Sequence, residues 1–444
     1  MKRVVILGGG ISGYGSAILA RTKGEDVFLS DRGTLSKSVV EKLEEWNITY
    51  EQGTHTEALI LSADLVIKSP GIPDKAPMVQ AILKAGIPII SEIEYAGRYL
   101  DGAKTICITG SNGKTTTTSL VYKILADAGY NVAVGGNIGE SFAYSVATAK
   151  YDWYVLELSS FQLDGMFDFK ADIALLMNIT PDHLDRYDYK FENYAASKMR
   201  ITQNQGAEEY FIYFAADPTI SKEIGSREMK MQTLAFGAQV DDKISIEVAE
   251  IKVDFQASEM QLSGRHNLYN AEAAAMAAAA AGVDGEQIKR SICTFSAVEH
   301  RLQPIAEIGG VLYINDSKAT NVDSVWYALE AMTRPVVWIA GGTDKGNDYN
   351  PLKGFARDKV HTLICMGLDN AALESEFAGV IPTIISTDNF EQAMSKARSS
   401  AKAGDVVLLS PACASFDLFR SYIHRGECFA EWVEQLKTAE QDGK

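Results

Sequence analysis

Short runs of β-branched and aliphatic residues alternate along this chain with longer amphipathic or alanine-rich stretches, as in parallel strands joined by crossover helices. The pattern predicts an α/β protein. In the first segment, residues 4–7, 27–30 and 65–68 read as strands, and residues 89–92 close the unit. A second segment opens with a strand at 105–108, continues through strands at 154–158 and 173–178, and carries helices at 115–128, 191–201 and 270–281. The alanine cluster of the last helix reflects helix propensity and close packing. A third segment places strands at 312–315, 336–340, 362–366 and 406–409, each followed by turn residues and a helical stretch. Three domains are expected: a Rossmann-like one over 1–92, a central P-loop ATPase-type domain with a parallel sheet over 93–297, and a second Rossmann-like one over 298–444.

Composition narrows the classes. The 444 residues exceed one ordinary core, and 46% apolar content is that of a globular chain. Its apolar runs have strand length, not the ~20 residues of a membrane span, so no membrane insertion is expected. The run from Val4 to Leu7 breaks at Gly8-Gly9-Gly10, which reads as a strand and not a signal peptide. Five scattered cysteines without metal-type spacing suit a reduced cytoplasm. A formal charge of −16 argues against a nucleic-acid partner, which needs a basic stripe. An acidic protein that handles phosphates must gather its cations in one cleft.

That cleft is signalled by Thr109-Gly110-Ser111-Asn112-Gly113-Lys114-Thr115, between an apolar strand and a helix. Ile108 stands where the strict Walker pattern would have its first glycine, so this is a shortened glycine loop. The physics is retained: glycines let backbone N–H groups approach phosphate, Lys114 neutralises the β/γ region, and the Thr115 hydroxyl can bind Mg2+. Glu157 emerges at a strand end, where a hard cation finds a carboxylate, and His183 follows the next strand, suited to a second metal or a phosphate. Gly8-Gly9-Gly10-Ile11-Ser12-Gly13, with Asp31 after the second strand, also satisfies the dinucleotide fingerprint. An NAD-dependent dehydrogenase is therefore a rival, though it leaves the second loop, Glu157 and His183 without a role.

Together with Gly135-Gly136-Asn137-Ile138-Gly139, Tyr194-Ala195-Ala196-Ser197-Lys198, Gly264-Arg265-His266-Asn267, Asn315-Asp316-Ser317-Lys318-Ala319-Thr320-Asn321 and Ser410-Pro411-Ala412-Cys413-Ala414-Ser415, these motifs resemble the Mur ligases over essentially the whole length. The resemblance implies a monomeric, cytoplasmic enzyme of peptidoglycan precursor synthesis that uses ATP to add D-glutamate to UDP-N-acetylmuramoyl-L-alanine through an acyl phosphate. It implies two Mg2+ ions, one on Thr115 and Glu157, the other served by His183 and a carbamylated Lys198. An unmodified ammonium has no lone pair for a metal. ATP is implied at Gly110, Ser111, Asn112, Gly113, Lys114, Thr115, Thr116, Asn270, Arg301, Asp316 and Lys318, with Lys114, His183, Lys198 and Arg301 catalytic. The UDP substrate is implied at Ile11, Ser12, Asp31, Arg32, Ser69, Gly71, Asn137 and His183. D-glutamate is implied at Thr320, Lys345, Ser415 and Tyr422, the last standing where a related enzyme has phenylalanine.

Overall fold

In the computed structural model, residues 1–237, 242–262, 264–296, 299–344 and 346–442 are described. The apolar runs form three main sheets. The first is fully parallel: β1 (Arg3–Leu7), β2 (Asp26–Asp31), β3 (Thr49–Gln52), β4 (Leu65–Lys68) and β5 (Ile89–Ile90), in the order β3-β2-β1-β4-β5. Chain order reverses at β1, so the turn after β1 opens at the switch point where such sheets bind ligands. The second sheet is also parallel: β6 (Lys104–Thr109), β7 (Val132–Gly136), β8 (Trp153–Glu157), β9 (Ile173–Leu176), β10 (Tyr210–Phe214) and β11 (Gln232–Phe236), in the order β11-β10-β9-β6-β8-β7. Helices cover both faces, which is why β6, β8 and β9 are buried along almost their entire length instead of alternating.

An antiparallel hairpin, β12 (Lys243–Val248) and β13 (Ile251–Gln256), follows, its inward residues Ile244, Ile246, Val253 and Phe255 alternating with exposed polar ones. The third sheet runs β14-β15-β19-β16-β17-β18, built from β14 (Gln303–Ile308), β15 (Val311–Asn315), β16 (Val336–Ala340), β17 (Val360–Met366), β18 (Thr383–Thr387) and β19 (Val406–Leu409). Only its edge pair β14–β15 is antiparallel.

The chain divides into two compact units, residues 1–260 with 268–295, and residues 261–267 with 296–444. Within the first unit the first two sheets are joined by a packed seam. Glu92, 1% exposed, accepts hydrogen bonds from the Ser141 hydroxyl and from the Ala143 N–H (3.0 Å), and Ser91 N–H donates to the Gly165 carbonyl at 2.9 Å. Burial raises the Glu92 carboxyl above its ordinary range, against the hydrogen bonds it accepts. The helix Arg265–Ala280 explains its composition: Ala271, Ala273, Ala274, Ala275, Ala277 and Ala278 have no exposed surface, so its neighbours approach to methyl distance. Among the described residues no helix is long and apolar enough to cross a membrane.

Candidate active site

Register along the central sheet assembles the site in the first unit. Ile108 pairs with Glu157 and Thr109 with Leu176, so the segments after β6, β8 and β9 leave the sheet side by side. The strand expected at 173–178 ends at Leu176, because Met177 and Asn178 turn over the glycine loop: Met177 N–H donates to Thr109 O and Ser111 N–H to Asn178 O, both at 2.9 Å. Gly110 and Gly113 hold φ of 151° and 83°, conformations that disfavour a side chain. A Cβ on Gly110 would lie 2.8 Å from Met177 Cβ, and one on Gly113 would lie 2.6 Å from Asn270 Oδ1. Gly113 caps the helix Lys114–Asp127, whose positive end therefore opens on the loop.

The side chains converge as their chemistry requires. Thr115 Oγ1 donates to Glu157 Oε2 at 2.7 Å, and Asn137 Nδ2 donates to Glu157 Oε1 at 2.9 Å, so both carboxylate oxygens are oriented. Lys114 Nζ bends back to Gly110 O (2.7 Å) and Ser111 O (2.8 Å). Lys198, 2% exposed, donates to the same Gly110 carbonyl at 2.8 Å and lies 4.8 Å from the Tyr194 ring centre. Burial first, and then the like charge of Lys114, hold the Lys198 amine well below the usual lysine range. Thr116 is 1% exposed, and among the described residues its buried hydroxyl has no hydrogen-bond partner. Asn270, 5% exposed, accepts from Thr117 Oγ1 at 3.3 Å. His183 sits at φ 52° at the start of a short 3-10 turn, its ring 5.2 Å from that of Phe161. Among the described residues no three His, Cys, Asp or Glu groups cluster to hold a metal by themselves. A hydroxyl and one carboxylate beside a phosphate loop suit Mg2+, which takes one or two protein oxygens and completes its shell from phosphates and water.

At the first sheet, Asp31 Oδ2 accepts Gly9 N–H and Oδ1 accepts Gly33 N–H, each at 2.6 Å, so this carboxylate secures the glycine turn. Ile11 is 54% exposed beside it and Arg32 is also exposed. Ser12 hydrogen-bonds to Glu92. Ser69 N–H donates to Leu7 O at 2.9 Å, which sets the 69–72 turn next to the end of β1. Arg186 crosses from the central segment: its guanidinium lies 4.3 Å from the Phe161 ring centre, with Nη2 3.5 Å from Pro70 O and Ile72 O.

In the second unit the loops after β15, β16 and β19 adjoin. Asp316, 2% exposed, accepts Ser410 Oγ at 2.7 Å and Leu302 N–H at 3.1 Å. Burial pushes its carboxyl up to about 6, against the pull of Arg301 and the Ser410 hydroxyl. Lys318 Nζ lies 5.4 Å from the Tyr422 ring centre, and Ser415 is 2% exposed. Thr320 N–H donates to Lys318 O at 2.9 Å. Lys345 lies outside the described residues. Sequence reasoning passed over Arg425, 1% exposed, whose guanidinium donates to Ser317 Oγ (3.0 Å), Ser317 O (2.9 Å) and Cys413 O (3.3 Å) and so ties two of these loops together. Its only sequence signal was an arginine early in the last amphipathic helix, the usual place of a solvated one.

Comparison with known proteins gives three family matches: the Mur ligase MurD-like N-terminal domain over residues 2–91, the Mur ligase middle domain over 108–278, and the Mur ligase glutamate ligase domain over 300–413. The chain is 49% identical to the UDP-N-acetylmuramoylalanine--D-glutamate ligase of Bacteroides fragilis, with 98% of this chain and all of that one covered. It is 41% identical to the protein of the same name from Salinibacter ruber, over 98% of each chain. Its fold resembles that of UDP-N-acetylmuramate-alanine ligase from Thermotoga maritima, with a TM-score of 0.63 at 17% identity over 98% and 100% of the two chains. It also resembles a pseudomurein peptide ligase from Methanothermus fervidus, with a TM-score of 0.59 at 21% identity over 92% and 96%.

Proposed function

The chain belongs to the Mur ligase family, and from that membership we propose that it uses ATP to join D-glutamate to UDP-N-acetylmuramoyl-L-alanine in peptidoglycan precursor synthesis. The observation that carries this reading is the convergence of Lys114, Thr115, Glu157 and Lys198 on one glycine loop, in a chain that matches D-glutamate ligases end to end.

The substrate's alanyl carboxylate attacks the γ-phosphorus of ATP, ADP departs, and an acyl phosphate results. The amine of D-glutamate then attacks the acyl carbon, inorganic phosphate leaves with the bonding pair, and the new amide nitrogen loses a proton. Lys114 offsets charge on the transferring phosphoryl group and Arg301 assists it. Thr115 and Glu157 would hold one Mg2+. Metal ions, when bound, supply charge neutralisation at the phosphate oxygens. For a second ion we propose His183 and carbamylated Lys198. Burial drives the Lys198 amine toward its neutral, nucleophilic form, and its addition to CO2 releases one proton and leaves a carbamate anion. Gly110, Ser111, Asn112, Gly113, Thr116, Asn270, Asp316 and Lys318 complete the ATP site.

Ile11, Ser12, Asp31 and Arg32 would meet the uridine, Ser69 and Gly71 the diphosphate, and Asn137 with His183 the muramoyl-alanine end. Thr320, Lys345, Ser415 and Tyr422 would take D-glutamate, whose two carboxylates need cationic or hydroxyl anchors. The domains are proposed as 1–92, 93–297 and 298–444, and the protein as a cytoplasmic monomer without nucleic-acid or membrane partners. The test is phosphate release from ATP in the presence of each substrate alone and both together, with hydroxylamine trapping the acyl phosphate. Release that needs both, with D-glutamate preferred over L-alanine, L-glutamate and diaminopimelate, is expected. ATP hydrolysis indifferent to the UDP substrate would overturn the reading.

A further inference from the structure

The segment after β9 does more than carry His183. Asn178 lies against the glycine loop and meets both backbone groups of one residue: its Oδ1 accepts Asn112 N–H at 2.8 Å, and its Nδ2 donates to Asn112 O at 3.2 Å. This two-point contact fixes the orientation of the amide, since exchange of its oxygen and nitrogen would set donor against donor and acceptor against acceptor. The main chain of Asn178 adds a third bond by accepting Ser111 N–H at 2.9 Å. Two residues on, Thr180 N–H donates to Ser111 Oγ (3.0 Å), which in turn donates to Thr180 O (2.9 Å).

We infer that Asn178 is the positioning residue of the phosphate loop: it holds the Asn112 peptide in place so that the loop is shaped for ATP before ATP arrives. The inference rests on the proposed ATP site. Asn112 N–H is spent on Asn178, so Asn112 does not offer its amide to phosphate while this clamp is closed; its part in ATP binding belongs to its side chain or to the shape it gives the loop. A glycine loop flanked by φ of 151° at Gly110 and 83° at Gly113 does not hold such a shape by local preference. Preorganising it from outside removes an ordering cost from nucleotide binding. The anchor of the clamp is separate from the clamp itself, because Ile179 N–H donates at 2.7 Å to Asp217 Oδ2, whose other oxygen caps the helix Pro218–Gly225.

The test compares the wild type with Asn178→Ala, Asn178→Asp and Asp217→Ala, measuring ATP affinity by calorimetry, KM for each of the three substrates, and Tm. Asn178→Ala is expected to weaken ATP binding about ten-fold or more, the scale of leaving a paired amide without its partner, while KM for the UDP substrate and D-glutamate stays within about two-fold. Asn178→Asp should not restore affinity, since its second oxygen would face the Asn112 carbonyl. Asp217→Ala should lower Tm without the ATP-specific shift. Unchanged ATP affinity in Asn178→Ala, equal losses for all three substrates, or the same ATP defect in Asp217→Ala would overturn the assignment. A wild-type protein that binds no ATP would overturn the functional reading itself, and this inference with it.

Discussion

Replacing Lys198 by methionine should make the protein more stable and inactive at once. The wild-type ammonium is 2% exposed, and the Lys114 charge opposes it. Methionine keeps much of the volume and removes the charge. It leaves no orphaned acceptor, because Gly110 O still accepts Lys114 Nζ at 2.7 Å. Exchange of a buried charge for an apolar group of similar size stabilises by roughly 1–3 kcal/mol, or an upward Tm shift of about 2–12 °C at 2–4 °C per kcal/mol. The sign with pH follows from linkage. A lysine depressed in the folded state binds fewer protons there than when unfolded, so wild-type stability rises with pH between the depressed value and the ordinary 10.5. Lys198→Met lacks that slope. Its Tm advantage should be largest near pH 7 and shrink toward pH 10, measured by calorimetry in CO2-free, Mg2+-free buffer. A variant less stable than wild type at pH 7, or an advantage that does not change with pH, would refute the reasoning.

Lys114→Ala should lower kcat by roughly 100- to 1,000-fold, as for loss of one preorganised charge-stabilising contact; near-normal turnover would remove the proposed role. Gly136→Ala places a Cβ 2.2 Å from Glu157 O at φ 90°, so it should destabilise by more than about 1 kcal/mol and raise the Mg2+ concentration needed for half-maximal activity; unchanged Tm and Mg2+ dependence would contradict it. His266 is pushed down to about 4 by burial and by Arg301, so it stays neutral when folded, and stability present above pH 6.5 should be lost as pH falls toward 4. His266→Gln should flatten that loss by up to ~3 kcal/mol, read from urea midpoints at pH 4 and 7.

The strands at 65–68, 336–340 and 406–409 were legible to the residue because buried parallel strands are continuous apolar runs bounded by turn residues. The glycine loop and Glu157 were legible for a related reason: chemistry sits at the ends of such runs. What escaped was written in weaker signals. β7 offers only the short apolar run Val132-Ala133-Val134 before Gly135-Gly136, and β11, an edge strand with mostly exposed residues, only Leu234-Ala235-Phe236. The helix expected at 270–281 begins at Arg265, since polar residues before the alanine run carry no periodicity. Arg425 and Asn178 were invisible for a deeper reason. Asn178 acts through the amide and carbonyl of a distant residue and Arg425 mostly through distant carbonyls, and backbone atoms leave no mark in a sequence.

Gly110 O takes hydrogen bonds from both lysines, at 2.7 Å and 2.8 Å, so the two amines stand within about 5.5 Å of each other, and Lys198 is depressed in basicity and sealed from solvent. That arrangement selects electrophiles by size. A linear triatomic such as cyanate is the near twin of CO2, and its addition to Lys198 would give a neutral urea where a carbamate anion belongs. Small isocyanates are thus the natural poisons of this pocket, and an inhibitor that carries one on a nucleotide-sized scaffold would meet an amine whose basicity burial has already lowered.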